Sequence, residues 1–292
     1  MIEQITLNNT ESEDIKMPFE EAERMFNETI VDIDKIVKRP PYAITIGNNN
    51  RGYPQKLATL GNISMLMGAE KSRKSFVKSL LEAGTIGGSA NYNNDTAIIG
   101  HLGDKLIISI DTEQGEYDVW QNANRVKKMV NAPIDNYRMV GWREKSILER
   151  NALLDYLFNE SPHRHNLGLV ILDGYVDFVH NSNDQKESNL FVGKLMKYSS
   201  QANCHIMGIL HTNPKNPSSP DAYAKGRGAL GTILQQKCEM VALVEQGEDN
   251  EFSKVSCYRL RGEANFKTFA VRIDKESRLP FITDFEEAQS RY

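Results

Sequence analysis

The segment MGAEKSRKSF, residues 67–76, constrains the fold more than any other part of the chain. Gly68, Lys74 and Ser75 match the phosphate-loop pattern G-x-x-x-x-G-K-[ST], in which Arg73 replaces the second glycine. An apolar run precedes the segment and a helical pattern follows it, so the order is strand, loop and helix. The segment therefore predicts a phosphate-binding loop; the alternative is a lysine-rich turn before a helix.

The chemistry of such a loop assigns roles to its residues. Backbone N–H groups and the start of the following helix carry positive partial charge, which holds phosphate oxygens. Lys74 would contact the β- and γ-phosphates, and Ser75 would be a ligand of Mg²⁺. Arg73 would be strained if its position requires a positive φ. The predicted nucleotide-binding residues are Gly68, Ala69, Glu70, Lys71, Ser72, Arg73, Lys74, Ser75 and Phe76.

Composition places the chain among globular proteins. It has 292 residues, of which 40% are hydrophobic and 25% charged, enough for one large domain with at most a small appendage. No apolar run approaches the roughly 20 residues that cross a membrane, and the polar, acidic start is unlike a secretory signal. The three cysteines are widely spaced, which favours buried thiols in a reducing compartment and predicts a cytoplasmic protein. A net charge of −4 leaves nucleic-acid binding through local basic loops open.

The chain divides near residue 40. Residues 1–45 are predicted to form a polar tail and an amphipathic helix, and residues 46–292 the main domain. The helix is predicted from Pro18, which suits a first helical position, to Arg39, because Pro40 would stop it. It would pack either on its own domain or on a neighbouring subunit. Its apolar stripe consists of Phe19, Ala22, Phe26, Ile30, Ile33 and Val37.

Beyond that point strands and helices alternate, which predicts an α/β fold with a mostly parallel central sheet. The final third changes to short strands with short connections, which predicts antiparallel pairing. Residues 84–104 are rich in Gly and Asn and are predicted to form a surface excursion. The predicted strands are Ile63–Met67, Leu106–Ile110, Leu169–Leu172, Ile206–Leu210, Met240–Glu245, Val255–Leu260, Thr268–Ile273 and Pro280–Ile282.

Polar side chains follow the ends of several predicted strands, where open α/β sheets bind ligands. Glu113 follows Leu106–Ile110 and could accept a proton from an attacking water, although a turn or helix cap is the alternative. Asp173 ends an aliphatic run, the Walker B pattern in which the acid holds Mg²⁺. His211 ends the next strand and could contact a terminal phosphate, with a capping histidine as the alternative.

The order of the segments GAEKSRKS, IDTEQGEYD, VILDG, GILHTNP, KGRGALG and YRLRG resembles that of the RecA-like ATPases, and most of all the hexameric replicative helicases of the plasmid RepA, DnaB and phage primase–helicase types. The resemblance spans about residues 55–282. It implies a three-layer RecA-like sandwich that binds ATP and Mg²⁺ and assembles into a homo-oligomer, typically a hexameric ring. By position, it implies a catalytic base in Glu113 and a γ-phosphate sensor in His211. Arg261 matches the arginine finger that enters a neighbouring subunit's site, and Arg259 matches a second cationic contact.

In those helicases the loops after the third and fourth core strands grip single-stranded nucleic acid, and here they correspond to Tyr175–Asn189 and Thr212–Gly228. The second loop carries cations among Asn, Pro, Ser and Gly, which suits contacts to a phosphate backbone. An ordinary solvated loop is the alternative. The predicted DNA-binding residues are Lys186, Lys215, Lys225 and Arg227.

The resulting hypothesis is an oligomeric ATPase that moves on single-stranded DNA of a plasmid, phage or mobile element. Two alternatives stay open. One is a nucleotide-dependent switch or scaffold without translocation. The other is an ATP-binding module in which Arg73 has disabled turnover.

Overall fold

The computed structural model describes residues 4–7, 15–87, 98–130, 134–213, 224–247 and 251–290. Contacts between residues divide the chain into two units, Met1–Arg39 and Pro40–Tyr292. The sequence predicts the start of the main domain at residue 46, which lies inside the first strand of the second unit, Tyr42–Asn48. Each unit is described by itself below.

The N-terminal unit contains a hairpin and a short helix. Strands β1 (Gln4–Leu7) and β2 (Ile15–Pro18) pair antiparallel, and helix α1 spans Phe19–Glu28. The first turn of α1 contains two glutamates, whose negative charges interact favourably with the positive end of the helix dipole. A helix starting directly after Pro18 therefore agrees with the sequence pattern.

Helix α1 is shorter than predicted, because it ends at Glu28 and not at Arg39. Residues 29–31 are all β-branched, which lowers their helix propensity. The Asp32 carboxylate then accepts the N–H of Asp34 at 3.0 Å, a local turn that competes with the helix. The apolar side chains beyond this point are exposed, so packing does not stabilise a longer helix.

The second unit is an α/β domain whose elements continue the numbering. Its strands are β3 (Tyr42–Asn48), β4 (Pro54–Thr59), β5 (Ile63–Gly68), β6 (Ile98–Gly100), β7 (Leu106–Asp111), β8 (Tyr137–Gly141), β9 (Leu167–Asp173), β10 (His205–His211), β11 (Met240–Gln246), β12 (Phe252–Leu260), β13 (Phe269–Ile273) and β14 (Pro280–Asp284). Its helices are α2 (Lys74–Gly87), α3 (Glu116–Val130), α4 (Ile147–Asn159), α5 (Gln185–Gln201), α6 (Gly228–Lys237) and α7 (Phe285–Ser290), with a 3₁₀ helix at Tyr175–Phe178. Within the described part of the chain, no helix has the length and apolar character that a membrane span requires.

The described strands form a nine-stranded central sheet in the order β14-β13-β12-β11-β5-β10-β9-β7-β8. The strands from β11 to β8 are parallel, and β12, β13 and β14 are antiparallel, as predicted. Parallel strands are buried on both faces, so their sequences are continuous aliphatic runs. Strand β9 shows this most clearly, because every residue of Leu167–Asp173 is buried.

Helices cover both faces of this sheet. On one face, Val77 and Leu80 of α2 and Val126 of α3 share a core with aliphatic residues of the strands. On the other face, Leu154 of α4 and Leu195 of α5 belong to a second core. The predicted three-layer α/β arrangement is therefore confirmed.

A second sheet of three strands, in the order β4-β3-β6, is not predicted by the sequence. Strand β6 has only three residues, and the register of β3 with β4 is irregular, so the two-residue periodicity is weak. The predicted surface excursion at residues 84–104 is wrong for residues 84–87 and 98–100, and residues 88–97 lie outside the described residues. Helix α2 continues to Gly87, and Ile98–Gly100 is strand β6, because apolar side chains in both parts join the core.

The topology brings the carboxyl ends of β5, β10, β9 and β7 to one edge of the sheet. Gly68 ends β5 opposite His211 of β10. Asp173 of β9 lies opposite Asp111 of β7. Residues from distant parts of the sequence thus meet at this edge, which hereafter is called the loop end of the sheet.

All three cysteines are free thiols, as predicted. Cys204 and Cys238 are buried, and Cys257 is half-buried. Burial raises the pKa of Cys204 to about 12 and that of Cys257 to about 11. Both groups are therefore protonated at neutral pH and are poor nucleophiles.

Candidate functional site

The segment between β5 and α2 is a tight loop. A Cβ atom at Gly68 would lie 2.3 Å from the Val244 carbonyl oxygen and 2.7 Å from Ser72 Oγ, so only glycine fits there. The Ser72 N–H donates to the Ala69 carbonyl at 3.3 Å, and the Ser253 hydroxyl donates to the Ser72 carbonyl at 3.1 Å. The loop is thus held against β11 and β12.

Arg73 has a backbone conformation that glycine adopts readily. Its φ is 67°, in the left-handed region, and its carbonyl accepts the N–H groups of Phe76 at 3.0 Å and Val77 at 3.4 Å as α2 begins. A residue with a Cβ atom loses about 1–2 kcal/mol in this conformation. Lys71 is also left-handed, with a φ of 62°. The arginine therefore accepts strain at the position where the phosphate-loop pattern has glycine.

Lys74 turns back over the loop. Its buried ammonium donates to the carbonyls of Gly68 at 3.0 Å and Ala69 at 2.7 Å, and it lies 3.3 Å from His211 Nδ1. Burial lowers the pKa of Lys74 below its ordinary value, an effect that nearby carboxylates oppose. An ammonium held by backbone carbonyls can exchange them for phosphate oxygens.

The remaining predicted loop residues differ in exposure. Ser75 and Phe76 are half-buried in the first turn of α2, and the Arg125 guanidinium lies 4.1 Å from the centroid of the Phe76 ring. The buried hydroxyl of Ser72 has no hydrogen-bond partner among the described residues, so it can serve a bound phosphate. The exposed loop residues are Ala69, Glu70 and Lys71.

Glu113 lies in a turn that Asp111 caps. Asp111 Oδ1 accepts the N–H groups of Glu113 at 3.0 Å and Gln114 at 2.8 Å. The capping role that the sequence leaves open for this segment therefore belongs to Asp111, and the Glu113 side chain remains 47% exposed. The Thr112 hydroxyl accepts the N–H of Gly174 at 2.8 Å, which ties this turn to the end of β9.

His211 links Lys74 to Glu113. Its Nδ1 lies 3.3 Å from Lys74 Nζ, and its Nε2 lies 3.6 Å from Glu113 Oε1. The His211 ring lowers the pKa of Glu113, and Lys74 acts in the same direction. The carboxylate is therefore ionised at neutral pH, as a proton acceptor must be.

Asp173 contacts a lysine that the sequence analysis missed. Lys78 Nζ lies 2.7 Å from Asp173 Oδ2 and 3.8 Å from Asp111 Oδ2, and its side chain is only 1% exposed. Burial disfavours the charged form, but Asp173, Glu82 and Asp111 together raise the pKa of Lys78 above its ordinary value. One signal could have revealed it: Lys74, Lys78 and Glu82 recur every four residues and form a polar stripe on a largely buried helix.

The oxygen donors beside the loop fit Mg²⁺. The Ser75 hydroxyl and the Asp173 carboxylate are hard oxygen ligands. Among the residues that the structure describes, no group of three or more His, Cys, Asp or Glu side chains could hold a metal ion by itself. Mg²⁺ usually takes one or two protein oxygens and completes its shell with phosphate oxygens and water, so these residues suit it when a nucleotide is bound.

Arg259 and Arg261 lie at the opposite end of the central sheet. Leu260 of β12 pairs with Met240, the first residue of β11, which lies opposite the start of β5. The loop end of β5 is about 13 Å further along the strands. The structure therefore does not bring these arginines to the phosphate loop of the same chain.

Both arginines are exposed and contact the last turn of α6. Arg259 Nη1 donates to the Gln235 carbonyl at 3.1 Å. Arg261 Nη2 donates to the carbonyls of Gln236 at 3.2 Å and Lys237 at 3.0 Å. Cations at a helix C-terminus stabilise the negative end of its dipole, so the arginines also have a local structural role.

The predicted DNA-binding residues Lys225 and Arg227 are exposed and lie on backbone that pairs with the end of β10. The Arg227 N–H donates to the His211 carbonyl, and the Asn213 N–H donates to the Lys225 carbonyl, both at 2.9 Å. The part of this loop that contains Lys225 and Arg227 is thus hydrogen-bonded directly to the end of β10 at His211. Lys215 lies outside the described residues.

The other predicted DNA-binding loop, Tyr175–Asn189, is wrong as a continuous loop. Its first part is the 3₁₀ helix, in which Tyr175 is fully buried, and α5 already begins at Gln185. The side chains of Tyr175, Phe178 and Val179 belong to the core, which is why this segment is not a solvated loop. Lys186 is exposed in the first turn of α5.

The two segments lie side by side. The Leu230 N–H donates to the Ser182 carbonyl at 2.9 Å, and a Cβ atom at Gly228 would lie 2.5 Å from the same oxygen. Gly228 also has a φ of 70°, in the left-handed region. A residue with a side chain would therefore both clash with Ser182 and adopt a strained backbone conformation. This close approach brings the segments that carry Lys186, Lys225 and Arg227 together.

No protein-family model and no curated protein matches this sequence. Among solved structures, the crystal structure of the RadB recombinase is similar, with a TM-score of 0.51 and 13% identity, over 76% of this chain and 90% of that chain. The fold is RecA-like. At this identity the likeness concerns the fold alone, and the roles of individual residues rest on the geometry of the loop end.

Proposed function

We propose that this RecA-like domain binds ATP with Mg²⁺ and hydrolyses it. The proposal rests on the contacts that run from Lys74 through His211 to Glu113, at 3.3 and 3.6 Å, beside the loop that starts at Gly68. They join a phosphate-binding cation, a hydrogen-bonding ring and an ionised carboxylate. Triphosphate hydrolysis needs these groups close together, because it depends on positioning and charge stabilisation.

Each residue has a defined task in this proposal. Lys74 would exchange loop carbonyls for oxygens of the β- and γ-phosphates. Ser75 and Asp173 would hold Mg²⁺, which neutralises charge on the phosphates. Glu113 would orient an attacking water and accept its proton, and His211 would donate a hydrogen bond to the terminal phosphate.

We further propose that the protein acts as a homo-oligomer, with a hexameric ring as the expected form. Arg259 and Arg261 lie at the far end of the sheet, so they can reach a phosphate loop only in another copy. Exposed arginines can exchange helix carbonyls for phosphate oxygens with little loss of stability, because surface contacts are weak. The exposed apolar side chains of residues 25–37 support a further contact between copies.

Single-stranded DNA of a plasmid, phage or mobile element is the proposed track, in a helicase or a translocating ATPase. Lys225 and Arg227 are exposed cations, as backbone-directed DNA contacts require. The Arg227 N–H binds the His211 carbonyl, so a change at the terminal phosphate would be transmitted to this loop. Such a motor would work in the cytoplasm, where free thiols stay reduced.

The left-handed backbone at Arg73 favours an active ATPase and not an ATP-binding module without turnover. The reason is that the loop keeps the conformation of a glycine despite the arginine. A switch or scaffold without translocation differs from a motor only in its response to DNA.

The decisive experiment measures ATPase rate with and without single-stranded DNA, together with the mass of the oligomer. We expect DNA to stimulate an oligomeric ATPase. Lys74→Ala should abolish most nucleotide binding, since the charge and its donors are lost together. Equal nucleotide affinity in the wild type and Lys74→Ala would mean that the loop is only a structural turn. An ATPase rate that does not change when DNA is added would favour the switch or scaffold.

DNA contacts are tested with Lys225→Ala/Arg227→Ala. Loss of two phosphate contacts should weaken binding for all sequences alike and reduce the slope of log affinity against log salt by about 1.4. Lys127→Ala/Lys128→Ala is the matched control, because it removes two exposed charges from the last turn of α3. Equal effects of both pairs would mean that only net charge matters.

A further inference from the structure

A buried ionic cluster lies behind the candidate Mg²⁺ ligand Asp173. The Lys78 ammonium lies 2.7 Å from Asp173 Oδ2 and 3.8 Å from Asp111 Oδ2. Glu82, one helical turn further along α2, is fully buried and interacts electrostatically with Lys78. Lys78 therefore faces three carboxyl groups that are almost completely shielded from water, while Lys74 also acts on Asp173 and Arg125 on Glu82.

The carboxyl groups differ in how they are satisfied. Asp173 has the Lys78 ammonium at hydrogen-bonding distance. In the described structure, Asp111 Oδ2 has no hydrogen-bond partner, whereas the buried carboxyl group of Glu82 interacts with the hydroxyl groups of Ser109 and Tyr137. Buried oxygen atoms without partners are costly, so a cation that approached them more closely would be stabilised.

The two positions open to the ammonium are close together. Asp111 and Asp173 lie opposite each other on neighbouring strands, and Lys78 already lies within 4 Å of both. A lysine ammonium is a compact charge on a flexible stem, which can move between such positions by rotating side-chain bonds. No backbone movement is required.

We propose that Lys78 is an internal counter-ion that competes with Mg²⁺ for Asp173 and moves toward Asp111 and Glu82 when Mg²⁺–nucleotide binds. This inference rests on the proposed function, since it concerns the same nucleotide site. Two cations beside one carboxylate repel each other strongly in a shielded site. Lys78 thus raises the Mg²⁺ concentration that nucleotide binding requires, and Glu82 lowers it by accepting the displaced ammonium.

The test is a binding measurement that needs no turnover. A fluorescent ATP analogue is held near its Kd, and its anisotropy is followed while Mg²⁺ is titrated. Lys78→Met should lower the Mg²⁺ concentration at half-maximal binding at least about tenfold, because a repelling charge is removed. Glu82→Gln should raise it, because the ammonium then remains on Asp173. Lys78→Arg keeps the charge and should resemble the wild type more closely than Lys78→Met does.

Two further variants keep the result interpretable. Lys78→Met/Glu82→Gln removes a cation together with a buried acid, so it should fold even if Lys78→Met does not, and it should retain the lowered requirement for Mg²⁺. Lys194→Met is the matched control, because it breaks another lysine–aspartate contact of 2.7 Å, with Asp155 between α4 and α5. Its Mg²⁺ titration should match the wild type.

The outcomes separate the inference from the proposed function. An unchanged or higher Mg²⁺ requirement in folded Lys78→Met, or in the double variant, overturns the competition. So does a wild type whose nucleotide affinity is the same with and without Mg²⁺. A wild type that binds no ATP analogue at any Mg²⁺ concentration overturns the proposed function itself.

Discussion

The charged residues at the two ends of the central sheet differ in burial and in the partners that they contact. At the loop end, Lys74, Lys78 and Asp173 are buried, and each contacts another charged or polar group of the site. At the far end, Arg259 and Arg261 are exposed and donate to carbonyls of the last turn of α6. The cations of the loop end are thus buried among partners of the site, and the two arginines of the far end are exposed to solvent.

This difference indicates which end is complete within one chain. Burying a charge is expensive, so the loop end must be built with its partners in place. Surface hydrogen bonds of arginine are weak and can be exchanged for those of another molecule. The backbone beneath Arg261 is nevertheless fixed, because Lys56 Nζ donates to its carbonyl at 2.6 Å. A preformed loop end and an exposed far end are what the proposed oligomer requires.

The largest expected effect comes from the far end. Arg261→Ala should reduce the ATPase rate about 10³–10⁵-fold, or about 4–7 kcal/mol of barrier, if the arginine acts as a finger in a neighbouring copy. Activity per molecule should then rise with protein concentration. Mixing Arg261→Ala with Lys74→Ala should restore part of the activity, because some interfaces pair an intact loop with an intact finger.

Arg138→Ala is the matched control for this prediction, since Arg138 is exposed and donates to backbone carbonyls of residues 135 and 137. Arg138→Ala should retain the wild-type ATPase rate. If Arg261→Ala lowers only the free energy of unfolding, by about 0.3–1 kcal/mol, and does not change the ATPase rate, Arg261 only stabilises the C-terminus of α6.

The next effect comes from the loop end. Glu113→Gln should keep ATP binding and assembly while turnover falls about 10²–10⁴-fold, because the amide cannot accept a proton. Glu116→Gln, in the exposed first turn of α3, removes a nearby carboxylate and should retain the wild-type rate. Turnover of Glu113→Gln at the wild-type rate would require another base, and loss of folding would show a structural role.

A smaller effect concerns strain in the loop. Arg73→Gly should raise the free energy of unfolding by about 1 kcal/mol, because glycine adopts the φ of 67° without a Cβ clash. The ATPase rate should change by less than about tenfold, or ~1.4 kcal/mol of barrier. Arg278→Gly, at a φ of 60° in the turn between β13 and β14, should give a similar gain in stability and no change in rate.

A rise of about a hundredfold in the rate of Arg73→Gly, from a nearly inactive wild type, would identify the arginine as the cause of low turnover. Calorimetry and steady-state kinetics on the same preparations distinguish relief of strain from relief of inhibition.

The last prediction tests the interior beneath the far end and concerns stability without activity. His205 is fully buried between the Ser64 hydroxyl, at 2.7 Å, and the Thr59 carbonyl, at 2.8 Å. Burial lowers its pKa, although Glu239 opposes this. As pH falls through about 6.5, the unfolded chain binds a proton that the folded chain does not, so stability is complete above this pH and decreases below it.

We expect the free energy of unfolding to fall by up to about 1.4 kcal/mol per pH unit below pH 6.5. His205→Gln should flatten that slope, and His165→Gln, at an exposed position, should retain it. Denaturant unfolding between pH 5 and 7.5 measures both. An unchanged slope in His205→Gln would assign the acid sensitivity to other groups.

Much of the candidate site was predictable because its signals are local. Lys74 and Ser75 belong to one short motif, and Glu113, Asp173 and His211 each follow an aliphatic run whose end is visible in the sequence. Parallel strands place such ends at one edge, so their proximity follows from the fold class. The end of α1 was less predictable, because an amphipathic pattern specifies a helix only where another surface covers it.

The sequence by itself determined the strand–loop–helix unit at residues 63–87, the aliphatic central strands and the chemical types at their ends, because these depend on neighbours along the chain. Only the tertiary structure decided that Lys78 contacts both Asp173 and Asp111, that Asp111 and not Glu113 caps its turn, and that the arginines lie at the opposite end from the loop. These facts depend on which strands are adjacent and in which direction they run. Strand order arises from how helices and strands pack across the whole sheet, and the sequence of a single strand does not encode it.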